Sequence, residues 1–114
     1  MAKTEFILNP AAQKLAYVFE PGRGPCVVFL SGYRSDMSGT KAQYLADFCR
    51  TQGQAMLRLD NSGHGASGGQ FENGSISKWT EDALTVIKAA VDGPLILVGS
   101  SMGGWIMLHV ALAL

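Results

Sequence analysis

Three short runs of mostly apolar residues constrain the fold of this chain more than any other feature. They are Cys26 to Leu30, Ala55 to Leu59 and Leu95 to Val98, and longer amphipathic segments separate them. A continuous apolar run indicates a strand that is covered on both faces, as in a parallel sheet. The alternation of such strands with amphipathic segments therefore predicts the α/β class, with a mostly parallel sheet and helices on both faces.

The predicted order of strands and helices along the chain is β-β-β-α-β-α-β-α. Two short strands are predicted at Glu5 to Leu8 and Lys14 to Glu20, ahead of the three apolar runs. The proline and glycine residues between Pro21 and Pro25 predict a turn that ends the second strand. A long glycine-rich loop is predicted over Asp60 to Gly74.

The three helices are predicted from apolar periodicity and from signals at their ends. The first covers Thr40 to Gln52, with Gly53 just after it and an apolar face of Ala42, Leu45, Phe48 and Cys49. The second begins at Ser77, as N-cap, and ends at Val91. The third covers Met102 to Leu114.

Composition narrows the classes of function. The net charge is zero and the basic residues are scattered, so nucleic acid is not expected as a partner. The longest apolar stretch, Trp105 to Leu114, is interrupted by His109 and falls short of the roughly 20 residues that a membrane span needs. The start of the chain lacks the apolar core of a signal peptide, which predicts an unexported, cytoplasmic protein. In a protein that is not exported, Cys26 and Cys49 are expected to be reduced core thiols.

A candidate nucleophile follows the last predicted strand. The segment Val98-Gly99-Ser100-Ser101-Met102-Gly103-Gly104 matches G-x-S-x-G, a sharp turn that exposes a serine hydroxyl above a sheet. Ser101 is the predicted nucleophile, because Gly99 and Gly103 lie two positions on either side of it. The alternative is a serine that merely caps the helix. Ser100 is excluded, since its neighbours at the same spacing are larger.

The surroundings of Ser101 suggest how an oxyanion would be stabilised. The N–H of Met102, at the helix start, is predicted to donate to it. A second donor in such a site comes from the loop after another strand, and the N–H of Tyr33 in Ser31-Gly32-Tyr33 is the candidate. The alternative is that Gly32 only forms a turn. Gly104 is expected to let the helix start close to its neighbours.

Two sequence patterns in the glycine-rich loop would indicate a different nucleophile or a different function. Gly65-Ala66-Ser67-Gly68-Gly69 also matches G-x-S-x-G, but Ser67 lies in mid-loop and no helix is predicted after it. Residues 63–68 match the dinucleotide-binding G-x-G-x-x-G pattern, which requires a helix that begins on the glycines and an acidic residue at a later strand end. Neither requirement is met, so nucleotide binding is not expected.

The two histidines are weak candidates for a general base. His64 follows a parallel strand, where active sites of open α/β sheets form, so a role as base is conceivable. A structural or pocket-lining role of His64 in its loop is the favoured interpretation. His109 lies eight residues into the last helix, roughly 12 Å along the axis from Ser101, and is predicted to be a packing residue.

Three segments together resemble the α/β-hydrolase fold family. They are residues 29–33, the loop at 59–67 with its Asp60 and Gly63-His64-Gly65-Ala66-Ser67, and residues 98–105. Gly32-Tyr33, the helix entry at 37–42 and Gly-Ser-Ser-Met-Gly-Gly-Trp are similar to one serine esterase and thioesterase branch. That branch includes a mitochondrial acyl-protein thioesterase, which also opens acyl glucuronides, and its bacterial relatives.

The resemblance implies hydrolysis of an acyl ester or thioester, a small-molecule substrate, without metal or organic cofactor. Ser101 would attack, a histidine would carry the proton and an acidic residue would orient that histidine. Family members carry both of these after the nucleophile, so residues 1–114 are expected to be the N-terminal half of a single α/β-hydrolase domain. Two alternatives stay open: a non-catalytic fragment or pseudoenzyme that acts by interaction, and the same fold with another reaction, such as a peptidase or dehalogenase.

The last predicted strand has a consequence for partners. Leu95 to Val98 would be central in the family's sheet, yet here it would lie at an open edge. An exposed apolar edge favours pairing. The expected partner is the rest of the hydrolase domain or another chain.

Overall fold

A computed structural model describes residues 3–114. The first two residues, part of the start segment used to judge export, lie outside the described residues. The strands are β1 (Glu5–Leu8), β2 (Lys14–Glu20), β3 (Arg23–Leu30), β4 (Gln54–Leu59) and β5 (Leu95–Gly99). The helices are α1 (Thr40–Gln52), α2 (Ile76–Ala90) and α3 (Met102–Ala113), and a short 3₁₀ turn covers Phe71–Asn73.

The five strands form one mixed sheet in the order β1-β2-β4-β3-β5. β4, β3 and β5 are parallel, while β1 and β2 join antiparallel beside β4. The predicted α/β fold and its order of elements are confirmed. A hairpin turn at Asn9, whose side chain accepts from the N–H groups of Ala11 and Gln13, reverses the chain between β1 and β2. The sheet is mixed because β2 runs antiparallel to β4, whereas β3, β4 and β5 are parallel.

Helices cover both faces of the sheet. On one face Ala42, Ala46 and Cys49 of α1 pack on Val27 and other β3 and β4 side chains. On the other face α2 and α3 pack on the sheet through residues that include Trp79, Val86, Ile106 and Val110. Burying both faces explains why the β3 and β4 sequences are apolar without alternation.

Several sequence predictions need correction at the level of single residues. The N-cap of α2 is Ser75 rather than Ser77, because the Ser75 hydroxyl accepts the Lys78 N–H at 3.2 Å. β3 begins at Arg23 within the predicted turn, since the Arg23 N–H donates to the Gly53 carbonyl. Phe48 is 56% exposed, because α1 turns Ala42, Ala46 and Cys49 toward the sheet instead.

The cysteines and the end of α1 follow the prediction. Cys26 and Cys49 are free and buried. Burial, with a smaller contribution from Cys49, raises the pKa of Cys26 to about 11, so this thiol is neutral near pH 7. Gly53 ends α1 at φ 66°, a left-handed conformation that favours glycine.

Exposed apolar side chains lie on β5 and α3, the two elements that meet at Ser101. β5 is a sheet edge, and its Ile96 is 45% exposed. Along α3, Trp105, Leu108 and Leu112 are 65%, 57% and 86% exposed. β5 ends two residues before Ser101 in the chain, and α3 begins directly after it. In the described part of the chain no helix is long and apolar enough to cross a membrane.

Candidate active site

Ser101 lies at the junction of β5 and α3 in a strained backbone conformation. Its φ and ψ are 57° and −120°, in the left-handed half of conformational space that few side chains adopt. This is the kind of strained strand-to-helix turn that G-x-S-x-G predicts. Ser101 is exposed, and its side chain does not cap α3. The alternative of a helix-capping serine is therefore wrong.

The glycines around Ser101 differ in how much room their surroundings leave for a side chain. A Cβ atom at Gly99 would overlap the carbonyl group of Gly103, and one at Gly103 would overlap the Leu30 carbonyl oxygen. A Cβ at Gly32 would lie 3.0 Å from the Ser100 oxygen and 3.1 Å from the Ser101 Cβ. Close backbone approach thus explains all three glycines. The expectation for Gly104 is wrong, since a Cβ there meets no atom within 4 Å.

Ser101 and the Gly32-Tyr33 segment line one cavity of about 300 Å³. The carboxyl ends of the parallel strands β3 and β5 bring them together. The Ser100 N–H donates to the Leu30 carbonyl at 3.2 Å, which ties the serine turn to the end of β3. The start of α1, at Gly39 to Ala42, also lines the cavity.

Met102 occupies the first position of α3 but does not line this cavity. Its partly buried side chain packs on the core formed with α2. The N–H groups of Gly103 and Gly104 donate to the carbonyls of Ser100 and Ser101, each at 2.9 Å. The Met102 N–H lies one residue earlier, among the helix-start donors that have no partner within their own helix.

The second G-x-S-x-G match serves a structural purpose. The Ser67 hydroxyl donates to the Asp60 carbonyl at 2.6 Å and accepts the Ala16 N–H at 2.8 Å. Both bonds tie the loop to β2 and β4, as expected for a serine that is not a nucleophile. No helix begins in residues 63–68 of the described chain, so this segment lacks the geometry of a dinucleotide site.

The two histidines occupy different environments. His64 is only 5% exposed, its Nδ1 lies 3.1 Å from the Ser62 carbonyl, and its ring packs edge-on against Phe71 and Trp79. This agrees with the structural reading of His64. His109 is exposed on α3, so the prediction of a packing residue is wrong. Neither histidine lines a cavity that contains Ser101.

Sequence reasoning missed the side chain that organises the loops around the site. The buried Asp60 carboxylate accepts the Met37 N–H at 2.7 Å and the Ala66 N–H at 2.9 Å. Burial raises the pKa of Asp60, and these two N–H donors oppose that rise. An acidic residue directly after a buried strand is the signal that could have identified it.

The described residues thus place an exposed serine hydroxyl on a strained turn beside a cavity. Residues 3–114 contain no group of three or more histidine, cysteine or acidic side chains that could hold a metal ion. The cavity beside Ser101 instead offers hydroxyl groups, backbone N–H groups and charged side chains of both signs.

Comparison with known proteins identifies the relatives of this chain. The sequence model of the family described as "Serine aminopeptidase, S33" matches residues 23–113. The human protein named palmitoyl-protein thioesterase ABHD10, mitochondrial, is 46% identical over 108 residues, which cover 95% of this chain and 35% of that protein. Its orangutan counterpart (Pongo abelii) matches equally well.

Solved structures agree with the sequence relatives. Mouse alpha/beta hydrolase domain-containing protein 10 superposes with a TM-score of 0.93 at 41% identity, over 98% of this chain and 45% of that one. A putative hydrolase from Agrobacterium vitis S4 also gives 0.93, at 42% identity, over 100% of this chain and 46% of the other. The predicted α/β-hydrolase fold is confirmed.

Two consequences follow from these matches. The chain spans about a third of the length of the curated relatives. The prediction of a cytoplasmic protein is wrong, because those relatives are named as mitochondrial. The apolar core of a signal peptide, on which that prediction relied, does not separate these compartments, since mitochondrial targeting relies on amphipathic segments without such a core.

Proposed function

Because the chain belongs to the serine aminopeptidase S33 family of α/β-hydrolases, we propose that it is the N-terminal half of a hydrolase domain. The domain cleaves a carboxylic ester or thioester through an acyl-enzyme on Ser101. The observation that carries the proposal is the left-handed backbone of Ser101, which exposes a hydroxyl beside a cavity. A fold alone would not support a reaction, whereas a strained serine at a cavity does.

In the proposed reaction the Ser101 Oγ attacks the carbonyl carbon of the substrate. A histidine takes the Oγ proton and passes it to the departing thiolate or alkoxide, and water then releases the acid from the serine. The negative charge on the carbonyl oxygen is stabilised by the N–H groups of Met102 and Tyr33. Gly32, Gly99 and Gly103 allow the backbones of these segments to approach each other.

The histidine and its acidic partner are proposed to come from the remainder of the domain. Neither His64 nor His109 lines the cavity of Ser101. The coverage of the relatives and the exposed apolar surfaces of β5 and α3 support a further part of the fold that packs there. A separate chain on the same edge is the alternative partner.

A thioester substrate is favoured by the relatives at 46% identity, which are named palmitoyl-protein thioesterases. The family description names a serine aminopeptidase, and this supports an amide substrate as the second candidate. Both reactions would proceed through an acyl-enzyme on Ser101. The two are separated by comparing hydrolysis of an acyl thioester with hydrolysis of an amino-acid anilide by the full-length protein.

Labelling by a fluorophosphonate tests the nucleophile directly. We expect the full-length protein to gain one phosphonyl group, and peptide mass spectrometry to locate it on Ser101. Ser67 is expected to remain unlabelled, because its hydroxyl already donates to the Asp60 carbonyl. Labelling at another residue would contradict the assignment of Ser101, and the absence of any labelling would favour a non-catalytic protein.

The open surfaces lead to a prediction about residues 1–114 on their own. We expect this segment to self-associate in light scattering, because β5 has unpaired backbone groups and an exposed Ile96. Ile96→Lys is expected to reduce the association, since a charge on an edge strand opposes pairing. Tyr44→Lys, at a 78% exposed position on α1, is the matched control. A monodisperse monomer would show that the edge needs no partner.

A further inference from the structure

Residues 32–37, between β3 and α1, supply much of the lining of the cavity that contains Ser101. The lining residues of this segment are Gly32, Tyr33, Ser35 and Asp36. The segment begins with a tight turn, in which the Ser35 N–H donates to the Gly32 carbonyl at 3.1 Å. A short segment that contains such a turn has little freedom of its own, so the contacts at its two ends determine where Tyr33 lies.

The later end of the segment is held at Met37 by two buried charged side chains. The Arg58 Nη1 donates to the Met37 carbonyl at 2.9 Å, and the Asp60 carboxylate accepts the Met37 N–H at 2.7 Å. The Met37 side chain is itself buried in a cluster with Ala16 and Val18 of β2. Hydrogen bonds to a charged group are roughly twice as strong as those between neutral groups. Both backbone groups of Met37 are therefore firmly fixed.

Arg58 makes this arrangement more than ordinary loop packing. The residue is 8% exposed and forms no ion pair within residues 3–114. Its Nε has no hydrogen-bond partner in the described part of the chain. A buried charge without an opposite charge is costly, and an apolar side chain would avoid that cost. The bond to the Met37 carbonyl is the contact that accounts for an arginine at this position of β4.

The earlier end of the segment rests on the ring of Phe71, in the glycine-rich loop. The Tyr33 ring meets the Phe71 ring edge-on, with centroids 5.1 Å apart, and the Arg34 guanidinium lies 4.6 Å from the centre of the Phe71 ring. Both geometries are favourable for an aromatic ring. Phe71 in turn packs against Trp79 of α2, with centroids 5.8 Å apart. Phe71 thus connects Tyr33 to the core.

We propose that Arg58 and Phe71 are positioning residues, which hold the 32–37 segment at its two ends and keep the Tyr33 N–H where it can donate to the oxyanion. The inference rests on the proposed function and deepens it by assigning residues that act through Tyr33. Neither Arg58 nor Phe71 lines a cavity that contains Ser101. Misplacing a group by about 1 Å can cost on the order of 100-fold in rate, so such remote contacts affect catalysis.

Replacing each residue in the full-length protein tests the proposal through kcat for the octanoyl thioester of N-acetylcysteamine. We expect Arg58→Met to lower kcat about 10- to 100-fold and Phe71→Leu about 3- to 10-fold, with KM changed less than about twofold. The reason is that one oxyanion donor contributes roughly 10²- to 10³-fold to kcat, and a displaced donor loses part of this. Arg58→Lys and Phe71→Tyr keep a charged donor and a ring, so they should recover most of the loss.

Two control variants separate positioning from a loss of stability. Val86→Ala removes atoms from a fully buried side chain of α2, in a core cluster that contains neither Arg58 nor Met37. It should lower the melting temperature and leave kcat within about twofold. Phe6→Leu removes a ring on β1 that also carries a cation, since the Lys14 ammonium lies 5.0 Å from its centre. It should leave kcat unchanged. If Arg58→Met does not fold, Phe71→Leu decides the proposal alone.

A pair of inhibitors measures oxyanion stabilisation apart from substrate binding. When an octyl trifluoromethyl ketone adds to Ser101, the Oγ bonds to the carbonyl carbon and its proton passes to the histidine. The electron pair of the broken π bond then becomes the charge on the oxygen. A thioether analogue, with a methylene in place of the carbonyl, binds without that charge. Both variants should weaken ketone binding by about the same factor as kcat and leave thioether binding unchanged.

The outcomes separate this inference from the proposed function. Unchanged kcat in Phe71→Leu, or equal weakening of both inhibitors, would overturn the positioning role while leaving the hydrolase intact. A loss of kcat in Val86→Ala as large as that in Arg58→Met would overturn it too, because lower stability would then account for both. Absence of Ser101-dependent hydrolysis of every thioester would instead contradict the proposed function itself.

Discussion

Ser101→Ala is expected to lower kcat for thioester hydrolysis by the full-length protein roughly 10⁵- to 10⁶-fold. The reason is that the substitution removes the atom that forms the acyl-enzyme, so only binding and oxyanion stabilisation remain. The fold should be little affected, because the Ser101 side chain does not cap α3 and is exposed. Steady-state kinetics, with the melting temperature as the check on folding, measures this directly.

Ser67→Ala provides the matched control, because Ser67 lies in the second G-x-S-x-G match. It removes two hydrogen bonds between the loop, β2 and β4, so it should lower the free energy of unfolding by about 1–3 kcal/mol. Its kcat should remain close to that of the unmodified protein. If Ser101→Ala kept most of its activity, or if Ser67→Ala alone lost it, the assignment of the nucleophile would be wrong.

Gly103→Ala is expected to lower the free energy of unfolding of the full-length protein by about 3 kcal/mol or more. The added Cβ would overlap the Leu30 carbonyl oxygen and approach the Ser31 oxygen. These are backbone atoms of β3 and its continuation, so they cannot move without shifting the strand. Denaturation by urea measures the loss, and the accompanying displacement of the serine turn should also lower kcat.

Gly104→Ala is the neighbouring control in the same helix. A Cβ at Gly104 meets no atom within 4 Å, and alanine is a better helix former than glycine by about 1 kcal/mol. This variant is therefore expected to be as stable as the unmodified protein or slightly more stable. Equal losses at Gly103 and Gly104 would show that the close approach of α3 to β3 does not govern this helix start.

Much of the fold could be predicted because its signals are local. β1 and β2 were predicted with their observed ends, and α1 was predicted together with its left-handed Gly53. The errors lie where local signals compete. Ser75 and Ser77 are both good N-cap residues, and only the chain direction before α2 selects Ser75. Phe48 fits the apolar period of α1, but Ala42, Ala46 and Cys49 form the buried face and Phe48 lies outside it.

The candidate site, like the fold, could be predicted from the sequence only in part. The choice of Ser101 over Ser67 follows from context, since a strand precedes and a helix follows Ser101 alone. The bonding partners of Asp60 and the cavity between Gly32 and α1 could not be predicted, because they depend on contacts between distant segments, although the position of Asp60 directly after a strand could have marked it as a candidate. The role of Gly104 was misjudged for the same reason, since a pattern of glycines does not reveal which one faces another backbone.

The sequence by itself determined the order of elements, the α/β class and the serine on the turn between β5 and α3. These depend on hydrophobic period and turn chemistry, which act over a few residues. Only the tertiary structure decided which glycines have no room for a side chain, which histidine is buried and which residues line the cavity beside Ser101. Parallel strands bring their carboxyl ends together from positions tens of residues apart, and Gly32 and Tyr33 reach the cavity beside Ser101 in this way.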